Sequence, residues 1–138
     1  LEQFCRENFD TTIVRLPGLF GDGLKKNVIY DLMNNNMVEK IHADGMYQYY
    51  NLANIWRDIT IALDNNLPLV NFATPPVSTR EVARVAFGME FTNTPEGITP
   101  AHWDMHSKYA DVYGGEGDYL YTKEQELAGI KEFVAKNK

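Results

Sequence analysis

The stretch TTIVRLPGLFGDGLKK, Thr11 to Lys26, joins a β-branched apolar run to a glycine-spaced loop and a helix start. That order places free backbone amides and a helix dipole where an anion is favoured. The glycines at 18, 21 and 23 run GxxGxG. This reverses the dinucleotide spacing GxGxxG, so the tight turn and the close backbone approach fall in the wrong places for a cofactor phosphate. No strand ending in an acid follows about 20 residues later, since Glu39 lies in polar sequence. That leaves a plain structural loop or one that faces a substrate, and the second is expected.

Three other groupings bear on chemistry. Tyr119-Leu-Tyr-Thr-Lys123 spells YxxxK, which on a helix sets a phenol one turn from an ammonium that lowers its pKa. Thr122 reads as the N-cap of the last helix, so Tyr119 lies outside that helix and the match reads as chance. His102 and His106 stand at i, i+4, a chelating spacing if helical, but Pro100 delays any helix and no Glu follows His102. No metal site is expected. Tyr47, Tyr49 and Tyr50 pair apolar rings with hydroxyls and can wall a ligand, although packing on a core or strand face is the commoner use.

The elements that must carry these residues follow from period and punctuation. Thr11 to Leu16 is short and apolar enough for a strand buried on both faces, ended by Pro17. Leu24 to Asn35 carries apolar residues at 24, 28, 29, 32 and 33, a helical stripe stopped by the asparagines at 34–36. Short runs at Val38 to Ile41 and Met46 to Tyr50 flank Asp44-Gly45, the pattern of a small hairpin or of two short strands. Asn51 can cap a helix whose apolar face is Leu52, Ile55, Trp56, Ile59 and Leu63.

Leu69 to Ala73 is a second short strand, closed by the prolines at 75 and 76. Ser78 and Glu81 stand at capping-box spacing for a helix to about Phe87. Met89 to Trp103 reads as irregular. A short helix from about Ser107 to Tyr113 stops at Gly114. A second capping box, Thr122 with Gln125, opens a last helix to about Lys136 whose buried face is Leu127, Ile130, Phe133 and Val134. Alternating strands and helices imply an α/β fold with the 11–16 and 69–73 strands parallel. Two strands are too few for a doubly wound sheet, so the rest is expected from absent sequence or from a second copy.

With 138 residues, 44% of them hydrophobic, one core can be buried, so a single domain or part of one is expected. The net charge of −6 and pI near 5.0 supply no basic field for nucleic acid or an anionic membrane. No run approaches the roughly 18 apolar residues of a membrane span, and no charged-then-apolar leader opens the chain. A lone Cys5 makes neither an internal disulfide nor a cysteine-rich zinc site, which suits a reducing, cytoplasmic setting, the thiol packing as a small buried apolar group. The opening LEQFCRENFD has no Met and reads as the last turns of a helix already under way, as in an excised fragment.

Arg15-Leu-Pro-Gly-Leu-Phe-Gly21 after a strand, Tyr49-Tyr-Asn-Leu-Ala-Asn-Ile-Trp56 heading a helix, and Leu69-Val-Asn-Phe-Ala-Thr74 before a helix capped at Ser78 together resemble one family. In that order they look like the C-terminal half of the extended short-chain dehydrogenases, the NAD-dependent epimerase/dehydratase group. In that family a pattern like RxxNVYGP ends the sixth strand of the Rossmann sheet. Its loop contacts substrate and the nicotinamide end of the cofactor; here the Asn position is Gly18 and the final Pro is Asp22. A later pattern like RDFxYVDDLA supplies an Arg to a nucleotide diphosphate, and the matching Tyr47 to Trp56 stretch has none.

The resemblance implies an α/β fold: two strands of a Rossmann-type parallel sheet plus a small, mostly helical substrate domain. Residues 1–23 would end the Rossmann part, with the substrate loop. Residues 24–138 would be the substrate-binding portion, including a returning strand at 69–73. It implies NAD or NADP as cofactor of the parent enzyme, held mainly by a missing N-terminal half with the glycine-rich loop and the catalytic Tyr and Lys. This chain alone would then hold no cofactor tightly and be inactive. Pro17 and Gly18 are expected at the cofactor; Leu19, Phe20, Lys25, Lys26, Tyr49 and Tyr50 at a small-molecule substrate. The rival expectation is a non-catalytic module that self-associates or binds a protein through Phe20, Tyr47, Tyr49, Tyr50 and Trp56.

Overall fold

A computed structural model describes all 138 residues. Its helices are α1 (Glu2–Asn8), α2 (Val28–Asn34), α3 (Ile55–Asp64), α4 (Thr79–Phe87) and α5 (Lys123–Asn137). Its strands are β1 (Ile13–Arg15), β2 (Gly18–Phe20), β3 (Met46–Tyr47), β4 (Tyr49–Asn51), β5 (Leu69–Asn71) and β6 (Val77–Ser78). The strands pair in twos. β1 runs parallel to β5 in the register Ile13 to Leu69, as the two apolar runs imply. β2 runs parallel to β4, with Gly18 opposite Tyr49. β3 is antiparallel to β6, with Tyr47 opposite Val77.

Pro17 does not open a loop as expected: the chain bends there and re-enters a strand, because Gly18 to Phe20 finds β4 as a partner. Of the hairpin or two short strands expected about Asp44-Gly45, no hairpin forms and only the second run is extended, as β3 and β4. Val38–Lys40 is a 3₁₀ turn instead. The Asn93 amide donates to the carbonyl of Glu39 in that turn and of Ile41 just after it, at 2.9 Å each. Gly45 bends the chain after His42, and its carbonyl accepts from Thr79 N–H at the start of α4. β1 is not buried on both faces: Ile13 and Val14 are half-buried and Arg15 is exposed, paired with Glu2 of α1 at 2.7 Å. α1 buries no residue, so Cys5 is half-buried rather than enclosed.

Side-chain alternation along β4 splits the interior in two. Tyr49 belongs to a cluster with Phe20, Ile29, Val82, Ile130 and Val134, between α2, α4 and α5. Tyr50 belongs to a second with Val70, Phe72, Ala62 and Leu120, under α3. Both expected capping boxes form: Ser78 with Glu81 opens α4 and Thr122 with Gln125 opens α5. α3 turns otherwise than its apolar stripe implies. Trp56 and Leu63 face outward, 77% and 55% exposed, while Asp58 points into the core. Its Oδ2 accepts from the hydroxyls of Tyr50 and Tyr121 at 2.6 Å each, which holds the helix at that rotation. The helix expected from Ser107 to Tyr113 is reduced to a 3₁₀ turn at Ala110–Tyr113, ended by Gly114 at φ +71°. No helix is long and apolar enough to cross a membrane.

Candidate functional site

The junction of β2, β4 and α2 is built from close approaches. A Cβ on Gly18 would fall 2.8 Å from the Gln48 carbonyl oxygen, so only glycine lets β2 sit this near β4. Asn27, at φ +119°, caps α2 by accepting from Ile29 and Tyr30 N–H. Its own amide donates to the Leu19 carbonyl at 2.9 Å, which ties the helix to β2. A non-glycine residue held at positive φ is strained, and this one stands where two hollows meet.

The first hollow, about 630 Å³, is lined by Leu16, Pro17, Gly18, Val28, Tyr47, Tyr49, Trp103 and Met105, with Asn27, Asp31 and Gln48 as its polar members. Gln48 holds its roof. The Gln48 amide donates to the carbonyls of Thr74 at 2.6 Å and Met105 at 2.8 Å, and its Oε1 accepts from Met105 N–H at 2.7 Å. The second hollow, about 600 Å³, shares Gly18 and Asn27 with the first and adds Leu19, Phe20, Lys25, Lys26 and Leu52. The first thus offers rings and the second two ammonium groups.

The structure distributes the expected site residues unevenly. Pro17, Gly18 and Tyr49 line the first hollow, while Leu19, Lys25 and Lys26 line the second with both lysines exposed. Phe20 touches the second but is 1% exposed, its ring 6.0 Å from that of Phe133. Tyr50 lines neither hollow: it is fully buried, its hydroxyl spent on Asp58. Of the residues assigned to a docking face, Phe20, Tyr49 and Tyr50 are buried, Tyr47 is half-buried and Trp56 is exposed.

The remaining motifs are used locally. The Tyr119 hydroxyl donates to Asp104 at 2.6 Å, while Lys123 pairs with Glu81 at 3.1 Å, so the YxxxK residues do not meet. Burial, reinforced by that bond to Asp104, pushes Tyr119 up to about 12. His106 lies between Asp104 at 3.2 Å and Asp118 at 3.7 Å on a non-helical segment.

Sequence reasoning missed Gln48, Asn27 and Glu126. Gln48 was detectable as a lone polar side chain in an aromatic run. Glu126, on α5, is 4% exposed, and desolvation lifts its carboxyl to about 9 despite hydrogen bonds from Tyr49 N–H and the Thr74 hydroxyl. Its Oε2 has no partner, and neither has the Tyr49 hydroxyl, itself raised by burial.

Two solved structures share the fold. The UDP-N-acetylglucosamine 4-epimerase from Bacillus cereus superposes with a TM-score of 0.58 at 16% identity, over 97% of this chain and 47% of that one. A UDP-galactose 4-epimerase gives 0.61 at 15% identity, over 99% and 49%. The chain has the fold of these epimerases. It spans about half their length. The α/β expectation and the resemblance that carried it are met at the level of fold. No family model matches the sequence, and no curated protein matches it.

Proposed function

We propose that these residues form the substrate-binding portion of an NAD- or NADP-dependent epimerase, dehydratase or reductase. It would act by hydride transfer at a carbinol or carbonyl carbon of a sugar nucleotide or a related small hydroxyl or carbonyl compound. The supporting observation is the pair of adjoining hollows. Tyr47, Tyr49 and Trp103 offer faces for a ring, and Lys25 and Lys26 offer charge for a phosphate in the hollow that shares Gly18 and Asn27.

The residues present do not build a dinucleotide cradle. Gly18 is taken up by the β2–β4 approach, and a Cβ on Gly21 would meet the Leu52 Cβ at 2.9 Å, so neither backbone is open to a pyrophosphate. In this reading the cofactor loop and the proton-transferring Tyr and Lys belong to polypeptide outside these 138 residues. Pro17 and Gly18 are the residues assigned to touch the nicotinamide end, and the chain alone is inactive.

Calorimetry with NADH, NADPH and a panel of UDP-sugars tests this. The expected result is sugar-nucleotide binding that weakens about tenfold when Lys25 and Lys26 are both changed to Ala, at roughly 0.7 kcal/mol per exposed charge pair. Tight cofactor binding by this chain, or sugar-nucleotide binding indifferent to both lysines, would refute the reading.

One observation favours the rival. Trp56 and Leu63, seven residues apart on one side of α3, are both exposed. A non-catalytic module that self-associates through this stripe would sediment as a dimer, and Trp56→Ala would return it to a monomer. A monomeric mass for the unaltered chain removes the self-association arm of that reading.

A further inference from the structure

A third cavity, about 240 Å³, is lined from β4, α3 and the first turn of α5, and its polar groups have a common character. Glu126 Oε1 accepts from Tyr49 N–H at 2.8 Å and from the Thr74 hydroxyl at 3.4 Å. Oε2 is buried without a partner. The proton of the neutral carboxyl therefore belongs on Oε2, making it a donor with nothing to receive it.

The neighbouring side chains are also left with donors. Asn51 spends its oxygen on Ala53 N–H and Gln125 spends its oxygen on Thr122 N–H, so each keeps an NH₂ end. Arg57 gives Nε to Asp58 and Nη2 to the Tyr121 hydroxyl, which leaves Nη1. The Tyr121 hydroxyl is itself committed to Asp58. The lining thus carries one guanidinium, paired on its far side with Asp58, the NH₂ ends of Asn51 and Gln125 and the O–H of Glu126; Asn54 adds an amide that both donates and accepts.

We propose that this cavity is a binding site for a small carboxylate, seated between the Arg57 guanidinium and the Glu126 carboxyl, its short alkyl end against the rings of Phe20 and Tyr49. A carboxylate suits a cavity rich in donors because its planar oxygens accept from a guanidinium and from an O–H together. The site shares Tyr49 with the ring-lined hollow but rests on different residues and does not depend on the sugar-nucleotide reading.

The charge of Glu126 sets the pH range. The titratable and charged groups around it are Lys123 on its own helix, Glu81 of α4 paired with that lysine, Tyr49 of β4, Arg57 of α3 with its partner Asp58, and Tyr121. Arg57 is paired with Asp58 and Lys123 with Glu81, so with Glu126 neutral no unpaired negative charge faces the cavity. Once Glu126 ionises, it opposes the bound anion.

Ligand-observed NMR on the propionate methyl signal, with sodium chloride at equal ionic strength as control, reads this directly. Saturable binding is expected at pH 7, about tenfold weaker at pH 10, which lies one unit above the carboxyl's value of about 9. Glu126→Gln keeps an acceptor for Tyr49 N–H and a donor toward the cavity, so it should bind equally at both pH values. Arg57→Gln, at an exposed position, should lose binding while its protein spectrum stays folded. No saturable binding at pH 7, full binding by Arg57→Gln, or a pH dependence that survives Glu126→Gln would each overturn the assignment.

Discussion

Replacing Glu126 with Gln should stabilise the protein, increasingly so as pH rises. In the native state the carboxyl keeps its proton up to about pH 9, whereas the unfolded chain releases it near 4.5. Between those values the native state holds the extra proton, so stability falls as pH increases. At about 1.4 kcal/mol per pH unit the loss across the window is roughly 6 kcal/mol, about 3 of which have accrued by pH 7. The first cause is desolvation, since Glu126 is 4% exposed among α5, β4 and the Thr74 segment. Gln cannot ionise in either state and keeps the geometry toward Tyr49 N–H.

The assay is urea unfolding of both proteins at intervals from pH 4.5 to 9. The difference between them cancels every other titrating group. It should be near zero at the acid end and widen toward several kcal/mol at the alkaline end. A difference that stays constant with pH would show that Glu126 ionises alike in both states, and the burial argument would fail. A strongly shifted acid beside a cavity is where a ligand role is expected, which ties this measurement to the propionate experiment.

Gly18→Ala should destabilise by about 1–3 kcal/mol, because its Cβ must displace the Gln48 carbonyl or spread β2 from β4; an unchanged urea midpoint would mean that the strands are not in this contact. Asp58→Ala should cost about 3 kcal/mol or more, since it leaves the hydroxyl of fully buried Tyr50 without an acceptor and releases Tyr121 and Arg57. Loss of near-ultraviolet circular dichroism from those tyrosines should accompany it, and a variant with both signals intact would contradict the proposed anchor.

The features legible in the chain were those fixed by neighbours in sequence. Both capping boxes are satisfied within three residues, and each forms where its spacing places it. The β1–β5 pairing was legible because each run is a short apolar segment bounded by turn residues. The β2–β4 pairing was not, because Gly18 to Phe20 looks like punctuation until Tyr49 to Asn51 arrives 31 positions later as its partner. The same ladder fixes what the loop can do. Strand pairing sends Phe20 into the core and leaves Leu19, Lys25 and Lys26 at the hollow, so adjacent residues of one motif separate into packing and contact.

The failures share one cause: a polar side chain inside, whose partner comes from elsewhere. In α3 the apolar stripe implies one buried face, yet the rotation of the helix follows Asp58, because two tyrosine hydroxyls converge on its carboxylate. A buried polar group must find partners at a penalty comparable to burying a large apolar side chain, so one anchored acid can outweigh Trp56 and Leu63 at the surface. Gln48 does the same for the roof of the first hollow, binding a segment 57 positions away. Glu126 is the extreme instance, since an acid in the first turn of a helix reads as a complement to the dipole. Only packing against β4 turns it into a neutral donor. Hydrophobic period reports where a face is oily, but the orientation of an element is decided by its least oily buried atom; two of the three residues that do this here, Gln48 and Glu126, also line cavities, whereas Asp58 serves packing alone.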